Sequence, residues 1–240
     1  MKTKITFLKV SLVALFLFIS NAAWSATYYT CINTGLNLTA TAAPGTTLLW
    51  DVHKDGAVGS VSGYPSATAP ASFADAGSYV VTLVNRTDAA SGTCPSDPID
   101  NTIIVMPALA FGLGTPSLAV YCAANTTTNT STAAATVTNT QADAITANFL
   151  ALNFTYTATK DNVAVPIAQV GTVATDGTFT FNTIIPGTYI ITGSVKYVQG
   201  TVTTNPLLGN GCPVSASSTQ QVIVTDKPAQ PTIITITAAP

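Results

Sequence analysis

Four landmarks occur twice, in the same order, along this 240-residue chain. A cysteine follows a short apolar or threonine approach in TCINTGLNLTA and again in YCAANTTTNTS. An aromatic residue, Trp50 or Tyr156, stands four residues before a Lys-Asp pair, Lys54-Asp55 or Lys160-Asp161. AGSYVVT is matched by PGTYIIT, so Gly77-Ser78-Tyr79 corresponds to Gly187-Thr188-Tyr189. Finally GTCPS is matched by NGCPVS, at Cys94 and Cys212. Landmarks repeated in order at this spacing point to a duplicated supersecondary unit, which restricts the chain to two copies of one small domain.

The stretches between the landmarks read as strands. YVVTLV and YIITGSV are β-branched runs suited to a buried sheet, and the Asp-Gly and Asp-Asn pairs after Lys54 and Lys160 suit tight hairpins that need positive φ. Trp50 and Tyr156 lie just before those turns, where a large ring fills the space between two sheets; with Tyr79 and Tyr189 they form the expected structural core. NTIIVMP and QQVIVTDKP are closing strands ended by proline. VMPALAFGLGTP reads as an apolar junction and DKPAQP as a short stiff linker. The division expected is 1–25, 26–107, 108–226 and 227–240. Relative to the first copy, the second carries extra residues in NTTTNTSTAAATVTNTQADAITA, expected as a threonine-rich strand with its loop or as a surface segment.

The N-terminal division is an export signal by pattern. Lys2, Lys4 and Lys9 precede the apolar run VSLVALFLFIS, and Ala23 and Ser25 supply small residues before a cleavage point after Ser25. That run is too short to span a bilayer, and no later run is long enough, so no transmembrane segment is expected. Beyond Ser25 the chain keeps five basic residues against ten aspartates and has no glutamate. No basic stripe exists to attract nucleic acid. The expected location is therefore secreted or at the cell surface.

Four cysteines in an exported chain, Cys31, Cys94, Cys122 and Cys212, suggest two disulfides with three pairings open. No C-x2-C spacing supports zinc. The repeat itself suggests pairing within each copy, Cys31 with Cys94 and Cys122 with Cys212, because each copy supplies one early and one late cysteine.

Asp75-Ala76-Gly77-Ser78-Tyr79 resembles the D-x-G-x-Y motif of immunoglobulin-like domains, and Trp50 resembles that family's core tryptophan. The resemblance implies a tyrosine corner, in which the hydroxyl bonds back to nearby backbone. There are departures. Val81 stands where antibody domains carry their second cysteine, and the second copy has Pro186 before Gly187 and lacks the aspartate. The pattern is closer to the bacterial Ig-like and PKD-like modules of secreted and surface proteins, of the kind found in Bacteroidetes. The fold class expected is all-β, two tandem Ig-like antiparallel β-sandwiches after a signal peptide. Motifs of this kind specify a fold and leave function to the site.

Chemistry is sparse in the sequence. His53 is the one histidine, in DVHKDG, where Asp51 or Asp55 is placed to orient it as a general base; the alternative is an exposed strand residue. No nucleophile elbow, zinc helix, phosphate loop or D-x-D-x-D-G calcium loop occurs. We therefore expect no catalytic site, no metal and no cofactor. The expected role is structural or adhesive, toward a protein or glycan at the cell surface. An alternative is a carbohydrate-binding accessory module using Tyr28, Tyr29, Tyr64, Tyr121 and Tyr197. One more repeat bears on partners: LTATAAP, residues 38–44, and ITITAAP, residues 234–240, agree at five of seven positions. Residues 231–238 thus resemble a module's early strand. Either the chain is a piece of a longer repeat protein, or this strand adds to a sheet edge.

Overall fold

The computed structural model describes residues 25–87, 95–123 and 130–230. Residues 1–24 of the expected signal segment, Cys94 and residues 231–238 lie outside the described residues. Two compact units are present. The first contains the chain up to Pro107 together with residues 147–149 and 199–209, and the second takes the rest. In both, strand is almost the only regular secondary structure among the described residues.

In the first unit, β1 (Thr27–Cys31), β2 (Thr46–Lys54), β3 (Gly77–Thr87) and β4 (Ile99–Met106) form one sheet in the order β1-β4-β3-β2. β1 runs parallel to β4, and the other neighbours are antiparallel. Side chains alternate across a strand, so Trp50 and Val52 of β2, Tyr79 and Val81 of β3, and Ile103 and Val105 of β4 all turn to one buried face. The opposing layer is not a regular sheet. It consists of two segments outside any strand, joined by two bonds, from the Asn33 N–H to the Phe73 carbonyl and from the Leu36 N–H to the Ala71 carbonyl. Phe73 stacks on Tyr79 with ring centroids 4.1 Å apart, and Leu36, Leu38, Val61 and Tyr64 close over the core.

The second unit repeats this sheet and completes the other layer. Its main sheet comprises β6 (Val120–Cys122), β9 (Leu150–Lys160), β10 (Val163–Val165), β13 (Gly187–Gln199) and β15 (Gln220–Thr225), ordered β10-β9-β13-β15-β6, with the short β14 (Val214–Ser215) on β13. β15 and β6 are parallel, matching β4 and β1. Opposite lie β7 (Ser131–Ala133), β11 (Gly171–Val173) and β12 (Phe179–Phe181) as a three-stranded sheet, and β5 (Ala110–Leu113) paired with β8 (Ala135–Thr138). One short helix, α1 (Ala142–Thr146), follows β8. The threonine-rich insertion therefore supplies two strands and a helical turn. The apolar junction is strand in part: Phe111 and Leu113 of β5 are buried, as is Leu109 just before it.

The expected disulfide pairing is wrong. Cys31 and Cys212 are bonded to each other, so neither the Cys31–Cys94 nor the Cys122–Cys212 bridge forms. The cause is visible along β1. Its outer edge is taken by residues 206–208: the Tyr29 N–H donates to the Pro206 carbonyl, and the Leu208 N–H donates to the Tyr29 carbonyl. That edge segment ends four residues before Cys212 in the sequence, and Cys31 is the last residue of β1. Cys122 ends β6, and its thiol faces the Asp226 carbonyl at 3.7 Å.

Candidate functional site

Trp50, Tyr79, Tyr156 and Tyr189 are all buried, none more than 7% exposed. The two tyrosines of the G-x-Y landmarks are held alike. The Tyr79 hydroxyl donates to the Asp75 carbonyl at 3.1 Å, and the Tyr189 hydroxyl donates to the Ile185 carbonyl at 2.9 Å, each four residues back. These are tyrosine corners, and the second forms without the aspartate because only the backbone carbonyl is used.

The Lys-Asp and G-x-Y landmarks, 23 and 27 residues apart, are one device in space. Asp55 and Asp161 both adopt positive φ, at 51° and 49°, which opens the hairpin turn. Each carboxylate then accepts the backbone N–H after the glycine: Ser78 to Asp55 at 2.7 Å, Thr188 to Asp161 at 2.9 Å. Each aspartate N–H returns a bond to that same residue's carbonyl. Gly77 and Gly187 sit at φ of 150° and 152°, and a Cβ there would run into Lys54 and Asp55 or Lys160 and Asp161. The glycine is thus required by conformation and by contact. In the first copy Lys54 also lies over the Tyr79 ring, 5.6 Å from its centroid, and 3.8 Å from the Asp75 carboxylate.

His53 is half-buried and fully engaged. One ring nitrogen meets Asp51 at 3.1 Å and the other meets the Ala57 carbonyl at 3.2 Å. Burial pushes the Asp51 carboxyl up, but bonds from the Ser60 hydroxyl, the Val52 N–H and the His53 ring outweigh this and hold it below its ordinary value. Ser60 and His53 therefore share one carboxylate. A nucleophilic relay needs the histidine in the middle, between acid and hydroxyl; here the acid is in the middle. The geometry is that of a pinned loop. Among the described residues no cluster of His, Cys or Asp is placed to hold a metal.

The five tyrosines proposed as a sugar platform do not share a surface. Tyr29, Tyr121 and Tyr197 are buried, and Tyr64 packs against the first core. Burial, with the neighbouring Tyr189 adding to it, pushes the Tyr121 phenol up to about 12. Tyr156 also reaches about 12, through burial first and the Asp176 charge second. Tyr121 donates to the Thr183 carbonyl at 2.9 Å, and Tyr156 donates to the Gly177 carbonyl.

Tyr28 instead borders a cleft of about 400 Å³ in the first unit, between the sheet and residues 37–40. Its walls are Leu38, Trp50, Val81, Leu83 and Ile103. Above it residues 37–42 belong to no strand and make no backbone–backbone bond to any described residue. Periodicity did not reveal this cleft, since Leu38, Thr39 and Ala40 look like any strand; what marks it is the comparison with the second copy.

No protein-family model matches this chain, and no curated protein matches it. Solved structures give loose likenesses. Sidekick-1 immunoglobulin domains 1–4 align at 15% identity and a TM-score of 0.37, over 84% of this chain and 48% of that one. The titin I-band fragment I67–I69 aligns at 11% identity and 0.39, over 83% and 63%. The fibronectin(III)-like modules of Clostridium thermocellum CbhA align at 12% identity and 0.31, over 84% and 91%. The chain thus spans about half the length of the first of these. At such scores the assignment to an Ig-like fold rests on this chain's own strand order, the parallel β1–β4 and β6–β15 edges, and its two tyrosine corners.

Proposed function

We propose that the chain is a non-enzymatic structural or adhesive protein, exported and displayed outside the cell as two Ig-like modules, 26–107 and 108–226. The observation carrying this reading is the duplicated clamp. Both copies devote their Lys-Asp turn and G-x-Y strand to rigidity, and the one histidine is used to pin a loop. A disulfide between Cys31 and Cys212 suits an oxidising compartment. The kinship with bacterial Ig-like and PKD-like surface modules suggested by the motifs belongs to the same proposal, as does cleavage after Ser25.

Surface labelling of intact cells, with protease shaving and N-terminal sequencing of the released chain, tests the location. Deletion of the gene should weaken attachment or surface assembly without loss of any hydrolytic activity. A chain found reduced in the cytoplasm overturns the proposal. Glycan binding by an array, at a site that survives Trp50 substitution, would favour a carbohydrate-binding module instead.

A further inference from the structure

The two copies differ at one place that matters for assembly. In the second unit, residues 131–138 do two jobs: the first half, β7, pairs with β12, and the second half, β8, pairs with β5. In the first unit the equivalent segment starts the same way, with Asn33 and Leu36 bonded to Phe73 and Ala71. Its second half, residues 37–42, pairs with no strand among the described residues. No counterpart of β5 precedes β1 among the described residues.

The side chains tell the same story. Gly193 of β13 lies four residues after Tyr189, as Leu83 of β3 lies four after Tyr79. A Cβ on Gly193 would meet the rings of Tyr156 and Phe111, so Phe111 of β5 covers this spot in the second unit. In the first unit the same spot is bounded by Leu83 and Trp50, and there the cleft lies open. Leu83 already takes part of the room, so the side chain that fits is smaller than phenylalanine.

We propose that this cleft receives residues 231–238 of a second copy as a donated strand, completing the first unit from outside. The segment follows β15 as Ala110–Leu113 follows β4, after a short proline-containing connection. It alternates as β5 does: Ile234, Ile236 and Ala238 correspond to the buried Leu109, Phe111 and Leu113, with threonines between. It carries no charge, as an apolar slot requires. Its backbone supplies partners to the open groups of residues 37–42, and its isoleucines enter against Trp50, Val81 and Ile103. Each copy both gives and receives, so the contact is head-to-tail and builds a chain of copies. This deepens the structural reading above and rests on it.

The test uses the exported chain. Sedimentation velocity should show concentration-dependent oligomers for the full chain and monomers for the chain shortened at Gln230. Leu83→Arg should block the cleft while leaving the donor intact, giving monomers as well. Mixing the two variants should yield one-to-one dimers and nothing larger, because only one donor meets one open cleft. Should Leu83→Arg fail to fold, the peptide PTIITITAAP added to the shortened chain provides the same readout, slowing hydrogen exchange at residues 37–42 by about tenfold or more. A full chain that stays monomeric, with no added protection at 37–42, overturns the proposal. So does a monomer in which 37–42 are already protected, since the cleft is then filled from its own chain. Failure of glycan or cell binding leaves these results untouched, so the two readings fail separately.

Discussion

Trp50 and Tyr156 occupy the same position in the two copies, yet their surroundings differ in kind. Trp50 borders the open cleft, and its backbone is bridged to Ser66 in both directions at 2.8 Å. Tyr156 is packed against Phe179, 5.3 Å between centroids, with its hydroxyl tied to Gly177. Replacing Trp50 by alanine removes most of the wall between two layers and should destabilise the first unit by about 3–5 kcal/mol, the range for large aromatic truncations. Denaturant unfolding followed by near-ultraviolet dichroism checks this. The buried phenols make a second prediction, this time for the second unit. Their folded pKa lies above the unfolded value of about 10. Their stabilisation is therefore complete below pH 10 and is lost as the pH climbs through about 12. Phenolate absorbance from Tyr121 and Tyr156 should appear together with loss of β-sheet dichroism in that window. Titration of both while the sheet persists would show that they are reached by solvent.

At the scale of elements, the clamp between the Lys-Asp turn and the G-x-Y strand is the repeated structural unit. Asp161→Ala removes a carboxylate acceptor and places alanine at positive φ, so it should cost the second unit about 2 kcal/mol, with Asp55→Ala similar in the first. Thermal melts of the single variants test this, and Asp161→Asn, which tolerates positive φ, should recover part of the loss. Much at this scale was legible in the sequence. Asp-Gly and Asp-Asn announce their turns because few residues accept that conformation, and Tyr79 announces its corner because the motif is local. What was not legible is the union of the two landmarks, since the reciprocal hydrogen bonds between Asp55 and Ser78 leave no periodic trace. The irregular layer of the first unit was equally hidden: LNLTATA has the composition of a strand, yet residues 37–42 pair with no strand among the described residues. The apolar junction VMPALAFGLGTP holds a strand that its sequence does not announce, because four strand residues between prolines are too few to show a period.

For the whole molecule, the outcome turns on the disulfide. Repeat logic assumed that each copy closes on itself, but a bridge forms where Cα atoms come within about 7 Å, whatever the repeat suggests. Residues 206–208 pair with β1, and this local pairing selects Cys212 for Cys31. A non-reducing peptide map should therefore recover the Cys31 and Cys212 peptides joined. Substituting either by serine should lower the melting temperature, since closing a loop of roughly 180 residues constrains the unfolded chain by about 5 kcal/mol in the entropy treatment. A map joining Cys31 to Cys94 would restore the self-contained copies. The pairing also sets an order in time. A ribosome produces Cys94 and Cys122 before Cys212, so the first thiol made must wait for the last. An oxidant that joins thiols as they emerge traps the wrong bond, and only exchange through a free thiol undoes it. Maturation of the first unit thus waits on the synthesis of Cys212, and its maker needs a means of reshuffling as well as of oxidising.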